Sequence, residues 1–304
     1  MSSVSASSFT PAASANLAAP VAIVRSPGFW SGVVHRLCRD PVALVALGLI
    51  FVLILIAIFA PYLAPYDPAK ASVIRRLKPI GTPGFILGTD ELGRDILSRL
   101  IYGARLSLIM GVIPVPVAFV IGSAIGIIAG YAGGIVNTLI MRTIDVFYAF
   151  PSVLLAVALS GALGSGLTNA LVSLTVVFIP QIARVAESVT TQVRRLDYVD
   201  AARASGAGPA TIITVHILGN VLGPIFVFAT SLISVSMILA SGLSFLGLGV
   251  RPPEAEWGLM LNTLRTAIYT NPYVAALPGV MIFFTSICFN LFSDGLRKAM
   301  DVKS

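Results

Sequence analysis

From Val42 to Ala60 the chain carries no charged side chain, and five more long apolar stretches follow it. About 20 apolar residues in helical form span the hydrocarbon core of a bilayer. Backbone amides and carbonyls that enter lipid must also be satisfied within the segment, so each such run is restricted to helix. The remaining uncharged stretches are Leu106–Met141, Val146–Leu163, Leu167–Ala183, Leu218–Phe245 and Tyr273–Phe292. Together they predict an all-α polytopic membrane protein with six transmembrane helices. Only 11% of residues are charged, where a soluble domain carries about 25%.

Residues 1–28 hold Ser, Ala and scattered Pro, cannot form a core, and are read as a disordered tail that we extend to residue 40. The lead before Val42 is too long and the apolar run too extended for a cleaved signal peptide. Residues 41–63 therefore form the first transmembrane helix, ended by Pro61 and Pro65. Residues 64–103 then form a polar loop. From Asp95 onward Ile96, Leu97, Leu100, Ile101 and Ala104 recur at helical spacing, with Arg94, Ser98, Arg99 and Arg105 between them. That pattern suits an amphipathic helix lying on the membrane interface, and equally a helix packed against the bundle.

Pro114 and Pro116 predict a kink or irregular start to the second span. Gly122, Gly126, Gly130 and Gly134 fall four apart and line one face, spacing that lets helices approach closely in lipid. Arg142 with Asp145, and Arg184 with Glu187, are expected as ion pairs within one helix at the boundaries of the third and fourth spans. Gly161, Gly164 and Gly166 mark the turn between those spans.

The net charge of +7 forms no continuous basic face, so no nucleic-acid partner is expected; the surrounding phase is membrane lipid. Cys38 and Cys288 have no CxxC spacing, His35 and His216 are isolated, and no HExxH helix or phosphate-binding loop occurs. No catalytic residue, cofactor or metal is expected. The centres of the six spans contain no ionisable residue of the kind that couples ions to secondary transport. Energy for transport would then come from another chain, and the remaining alternative is a passive channel or scaffold.

The one long polar insert lies at about residues 190–217. Asp197 is placed to cap a helix over Tyr198–Ala204, with Gly206 or Gly208 ending it and Pro209 starting another. Ala201 and Ala202 are small helix formers that permit close approach of a partner.

Four segments, in order, resemble the C-type permease subunit of dipeptide and oligopeptide (peptide/nickel family) ABC importers. They are LGTDELGRDILSRLIYGARLSL (Leu87–Leu108), MRTIDVFYAFP (Met141–Pro151), YVDAARASGA with the following HILGNVLGP, and SFLGLGVRPPEAEWG (Ser244–Gly258). The resemblance covers residues 40–300 and implies a type I ABC importer permease fold, with residues 104–293 as its core and 294–304 as a cytoplasmic tail. It implies a pathway shared with a second permease subunit, two cytoplasmic ATPase subunits and an extracytoplasmic solute-binding protein. It also implies a bacterial inner-membrane location with both termini cytoplasmic; charge alone is nearly silent, with 11 basic residues on the inner side and 9 on the outer.

The implied cargo is short peptides, with nickel, glutathione or another small solute as alternatives, and no residues of the substrate path are assigned. The coupling loop of that family falls on Tyr198, Asp200, Ala201, Ala202, Gly206 and Gly208. Asp200 stands where the family's loop usually has Glu, and Gly219 where it usually has Pro.

Overall fold

Asp40 accepts the amides of Val42 (3.0 Å) and Ala43 (3.2 Å), and Pro41 occupies the first helical position, so the first membrane helix has a defined start. The computed structural model describes residues 29–300. Ahead of that cap lies α1 (Phe29–Leu37), and after it come α2 (Pro41–Ile58) and the short α3 (Ala60–Leu63). The part of the expected tail before residue 29 lies outside the described residues. Its remainder is not disordered: Val33 of α1 is buried against Leu296 and Ala299, which gives α1 a fixed seat.

The amphipathic segment begins α4 (Ile96–Val112), and Ile113 keeps helical dihedrals so that α5 (Pro114–Ala132) follows on as one 37-residue run. Pro114 costs hydrogen bonds but sits at the first turn of α5, where its missing N–H is tolerated. The face carrying Ser98 and Arg99 is buried rather than laid on headgroups, so of the two readings of this helix the packed one holds.

The glycine spacing does what it predicts at three positions. A Cβ on Gly122 would lie 2.9 Å from the Ile179 carbonyl oxygen and one on Gly130 2.8 Å from that of Glu187; one on Gly126 would collide with the Ala183 carbonyl. These glycines let α5 pack backbone to backbone on α8 (Leu167–Val193). Gly134 instead opens α6 (Gly134–Tyr148).

The expected third span, Val146–Leu163, is not one helix. α6 stops at Tyr148, α7 (Ser152–Leu163) starts after Pro151, and the two are bent by 85°. Proline removes a donor and pushes the preceding residue, here Phe150, out of the helical region. α8 runs ten residues past Ala183, which puts Arg184 and Glu187 inside it. They do not pair with each other. Arg184 reaches Asp145 of α6, which also meets Arg142 at 3.6 Å, whereas Glu187 accepts from Asn137 of α6 at 2.7 Å.

Beyond α8 come α9 (Asp197–Ala204), the single turn α10 (Pro209–Thr211) and a π-helical turn (Ile212–Ile217) leading into α11 (Leu218–Phe245). After α12 (Trp257–Thr263), the last helix, α13 (Pro272–Met300), extends through most of the expected C-terminal tail because Leu296 and Ala299 are buried against α1. Among the described residues five helical runs are long and apolar enough to cross a membrane, and there are six when the bent α6–α7 pair is counted as one span. One core gathers Phe178, Ile182, Ile217 and Val221 between α5, α8 and α11; a second gathers Ile96, Trp257, Met260 and Phe289.

Candidate coupling site

The stretch after α8 leaves the bundle and returns to it within some twenty residues, and its geometry follows from a few side chains. Val199 is fully buried and pins α9 to the core made with Ile212, Ile217 and Val221. Leu196, not Asp197, occupies the cap position; Asp197 is the first helical residue and makes no capping bond. With Asp200 it places two carboxylates in the first turn, where the amide dipoles favour negative charge, and Arg203 stands in the last.

Asp200 and Arg203 pair at 3.0 Å, with the Asp200 side chain 64% exposed, and the Arg203 guanidinium lies 5.7 Å from the Tyr131 ring centroid. Ala201 is exposed and Ala202 half-buried on the core side. The outer surface of α9 is thus a small-residue floor flanked by one neutralised charge pair.

Of the two glycines offered as helix ender, the fold uses Gly206, at φ +85°. The Ala207 amide donates to the Ala202 carbonyl (3.1 Å) and the Gly206 amide to that of Arg203 (3.0 Å), the paired bonds of a Schellman ending. Gly208 is extended and precedes Pro209 at the first position of α10.

Tyr198 does more than its place in the motif suggested. Its hydroxyl donates to the His216 carbonyl (3.3 Å) and accepts from the Asn220 amide nitrogen (3.0 Å), which also donates to His216 O (2.8 Å). In the π-turn, where the Leu218 amide donates to Ile213, these side chains fasten α9 to the first turn of α11. Gly219 lies inside that first turn with open space around it, and the π-turn, α10 and α11 run on as one helix from Pro209 to Phe245. Neither Asn220 nor Val199 was singled out in the sequence. Val199 falls in the middle of the motif and is the only buried residue of α9.

The six candidate residues therefore lie on one short helix and the turn behind it, clamped from beneath by Val199 and from the side by Tyr198. Among the described residues no group of His, Cys, Asp or Glu could hold a metal.

The chain belongs to the family of binding-protein-dependent transport system inner membrane components. The sequence model of that family matches residues 122–303, and that of the N-terminal TM domain of oligopeptide transport permease C matches residues 28–79. The chain is 42% identical to the glutathione transport system permease protein GsiD of Pectobacterium atrosepticum, over 92% of each chain. It is 43% identical to the di/tripeptide transport system permease protein DppC of Pseudomonas aeruginosa, over 84% of this chain and 87% of that one.

In fold it is similar to a chain from an inward-facing structure of the MetNI methionine ABC transporter, with a TM-score of 0.55 and 21% identity over 67% of this chain and 97% of the other. The protein is a multi-pass inner-membrane permease component of an ABC importer.

Proposed function

We propose that this chain forms half of the translocation path for short peptides, paired with a second permease subunit, and that it receives the force of ATP hydrolysis through Tyr198–Gly208. One of two ATPase subunits on separate chains docks on α9 and the other on the second permease subunit, and an extracytoplasmic binding protein delivers the solute. α9 and both termini face the cytoplasm.

The observation that carries this reading is the fastening of an exposed, small-surfaced helix to the foot of α11. A partner pushing on Ala201 and the Asp200–Arg203 pair moves α9 as a body, because Gly206 closes its end and Tyr198 ties it to His216 and Asn220. That displacement reaches a 28-residue membrane helix directly. The shorter Asp200 keeps the carboxylate of the family's usual Glu, held by Arg203.

Peptide cargo is supported by the names of the relatives, one a di/tripeptide and one a glutathione system. Glutathione is itself a tripeptide with one γ-linkage, so the two differ in a bond and not in class.

Uptake and ATPase assembly in reconstituted membranes test the coupling role. Asp200→Lys reverses the charge on the docking face and Gly206→Trp places a bulky side chain at φ +85°. Both are expected to insert normally and to lose ATP-driven uptake; normal uptake by both would refute the assignment. Competition between a dipeptide and glutathione for the same uptake then fixes the cargo.

A further inference from the structure

α7 covers one face of α8 only as far as the break at Ala149–Pro151. There α6 turns away by 85°, and from that level α6 meets this face of α8 at Arg184, through Asp145 and Tyr148, while Ser188 and Gln192 stand exposed. This face is polar: Gln181, Arg184, Ser188 and Gln192 follow at spacings of three, four and four, so they share one side of the helix. Gln181 is half-buried and the other three are exposed. The opposite face, with Ile182, Ala183, Ala186 and Thr190, is buried against the glycines of α5.

These residues are deep. Gln181 stands 14 residues from Leu167 and Arg184 17, about 21 and 25 Å along the helix at 1.5 Å per residue. A hydrocarbon layer of about 30 Å placed anywhere along the 27-residue, roughly 40 Å helix contains both. Polar side chains at such depth face protein or water, and irregular backbone there is found only where it is buried or lines an aqueous cavity. The break is irregular from Ala149 to Pro151, and Phe147 to Pro151 are exposed. It borders a polar-walled cavity of about 390 Å³ together with Ser152, Leu155, Val177 and Gln181.

The geometry points to this face of α8, with the α6–α7 break, as the water-filled inner wall of the solute passage. Its closed end is the Gln181–Ser152 pair, 3.4 Å apart, which offers carboxamide and hydroxyl to the amide groups of a passing peptide. Arg184 is held by Asp145 and stacks over Tyr148 at 4.9 Å, so it lends the wall polarity without a free positive charge. This rests on the reading of the chain as half of a translocation path, but water access can be measured whatever the solute.

The assembled importer, with Cys38 and Cys288 replaced by Ser, would carry single cysteines at Gln181, Arg184 or Ser188, or at Val172 on the apolar exposed side of α8 as control. A charged, membrane-impermeant thiol reagent is supplied on both faces. Gln181→Cys, Arg184→Cys and Ser188→Cys should label at least about tenfold faster than Val172→Cys, because the reactive thiolate forms in water and not in lipid. Equal rates would overturn the passage.

Saturating dipeptide should slow labelling at Gln181→Cys and leave Ser188→Cys unchanged; no protection at Gln181→Cys would overturn its solute contact. Gln181→Leu should raise KM for uptake about tenfold, and Gln181→Asn should recover part of it, as expected for one lost hydrogen bond. If Asp200→Lys transports normally while the labelling pattern holds, the coupling assignment fails and the passage stands.

Discussion

The loop after the first span and the helix–turn after the fourth lie on opposite sides of the bundle, and both read as polar inserts rich in Asp and Arg. They are built in opposite senses. In the first, Asp90, Arg94 and Arg99 are nearly inaccessible: Asp90 takes Arg94 at 2.7 Å and Arg99 at 3.6 Å. Arg99 also donates to the carbonyls of Pro68 (2.9 Å), Pro253 (3.4 Å) and Glu254 (3.1 Å), tying three chain segments together. Next to it Glu256 caps α12 through Gly258 (2.9 Å) and Leu259 (2.8 Å) and accepts the Ser107 hydroxyl. In the second, Asp200 and Arg203 meet in the open, and beyond α9 only the Tyr131 ring lies against Arg203. A buried charge whose every lone pair is used is part of the scaffold, whereas an exposed pair over a small-residue surface is available to a partner.

The largest effect expected from this contrast is on stability. Arg99→Leu leaves the Asp90 carboxylate with Arg94 as its one cationic partner and three carbonyls without their donor. Breaking a buried pair from one side costs about 3–5 kcal/mol. The variant should show a strongly lowered Tm in detergent, or fail to accumulate, while Arg203→Leu should stay within about 1 kcal/mol of the parent because its pair is solvent-screened. Equal losses in the two variants would erase the distinction between scaffold and docking surface.

The same contrast marks what could be seen in the sequence. Spans could be seen wherever uncharged length alone decides: α11 has the limits its apolar run predicts, and the glycines at 122, 126 and 130 face a helix as their spacing requires. The α6–α7 break was signalled by Pro151 but masked by the apolar residues on both sides of it. Arg99 was ambiguous because an interfacial helix and a packed one share the same periodicity. The carbonyls it serves lie 31 and more than 150 residues away, and no local pattern reports them. In the candidate site a glycine ender was legible as Gly206 or Gly208, and the φ of +85° that favours a residue without Cβ falls at Gly206. The Tyr198 hook was not legible, because the His216 carbonyl it uses is set by a π-turn that composition does not announce.

A pH dependence separates the two regions next. Burial pushes the Glu256 carboxyl above its ordinary value of 4.5, outweighing the Gly258 and Leu259 amides and the Ser107 hydroxyl, which pull the other way. The folded state then binds a proton that the unfolded state has released. The contribution of Glu256 to stability is therefore fully present below pH 4.5 and is lost as pH rises through the raised value, with a slope of up to about 1.4 kcal/mol per pH unit. Glu256→Gln should remove this slope from thermal melts over that range. A slope that persists in the variant would assign the titration to another group.

The smallest effect belongs to Tyr198. Tyr198→Phe keeps the ring and removes two hydrogen bonds at an exposed site, so about 0.5–1.5 kcal/mol should be lost locally and the global Tm should hardly move. Amide exchange should quicken in α9 and the π-turn while α11 beyond Asn220 stays protected. In the assembled importer the same change should lower uptake more than ATP hydrolysis, because the partner still docks on Ala201 and Asp200 but pushes a helix no longer fastened to α11. Proportional losses in both would mean that the hook only stabilises the docking surface, and that force reaches the bundle through Val199 instead.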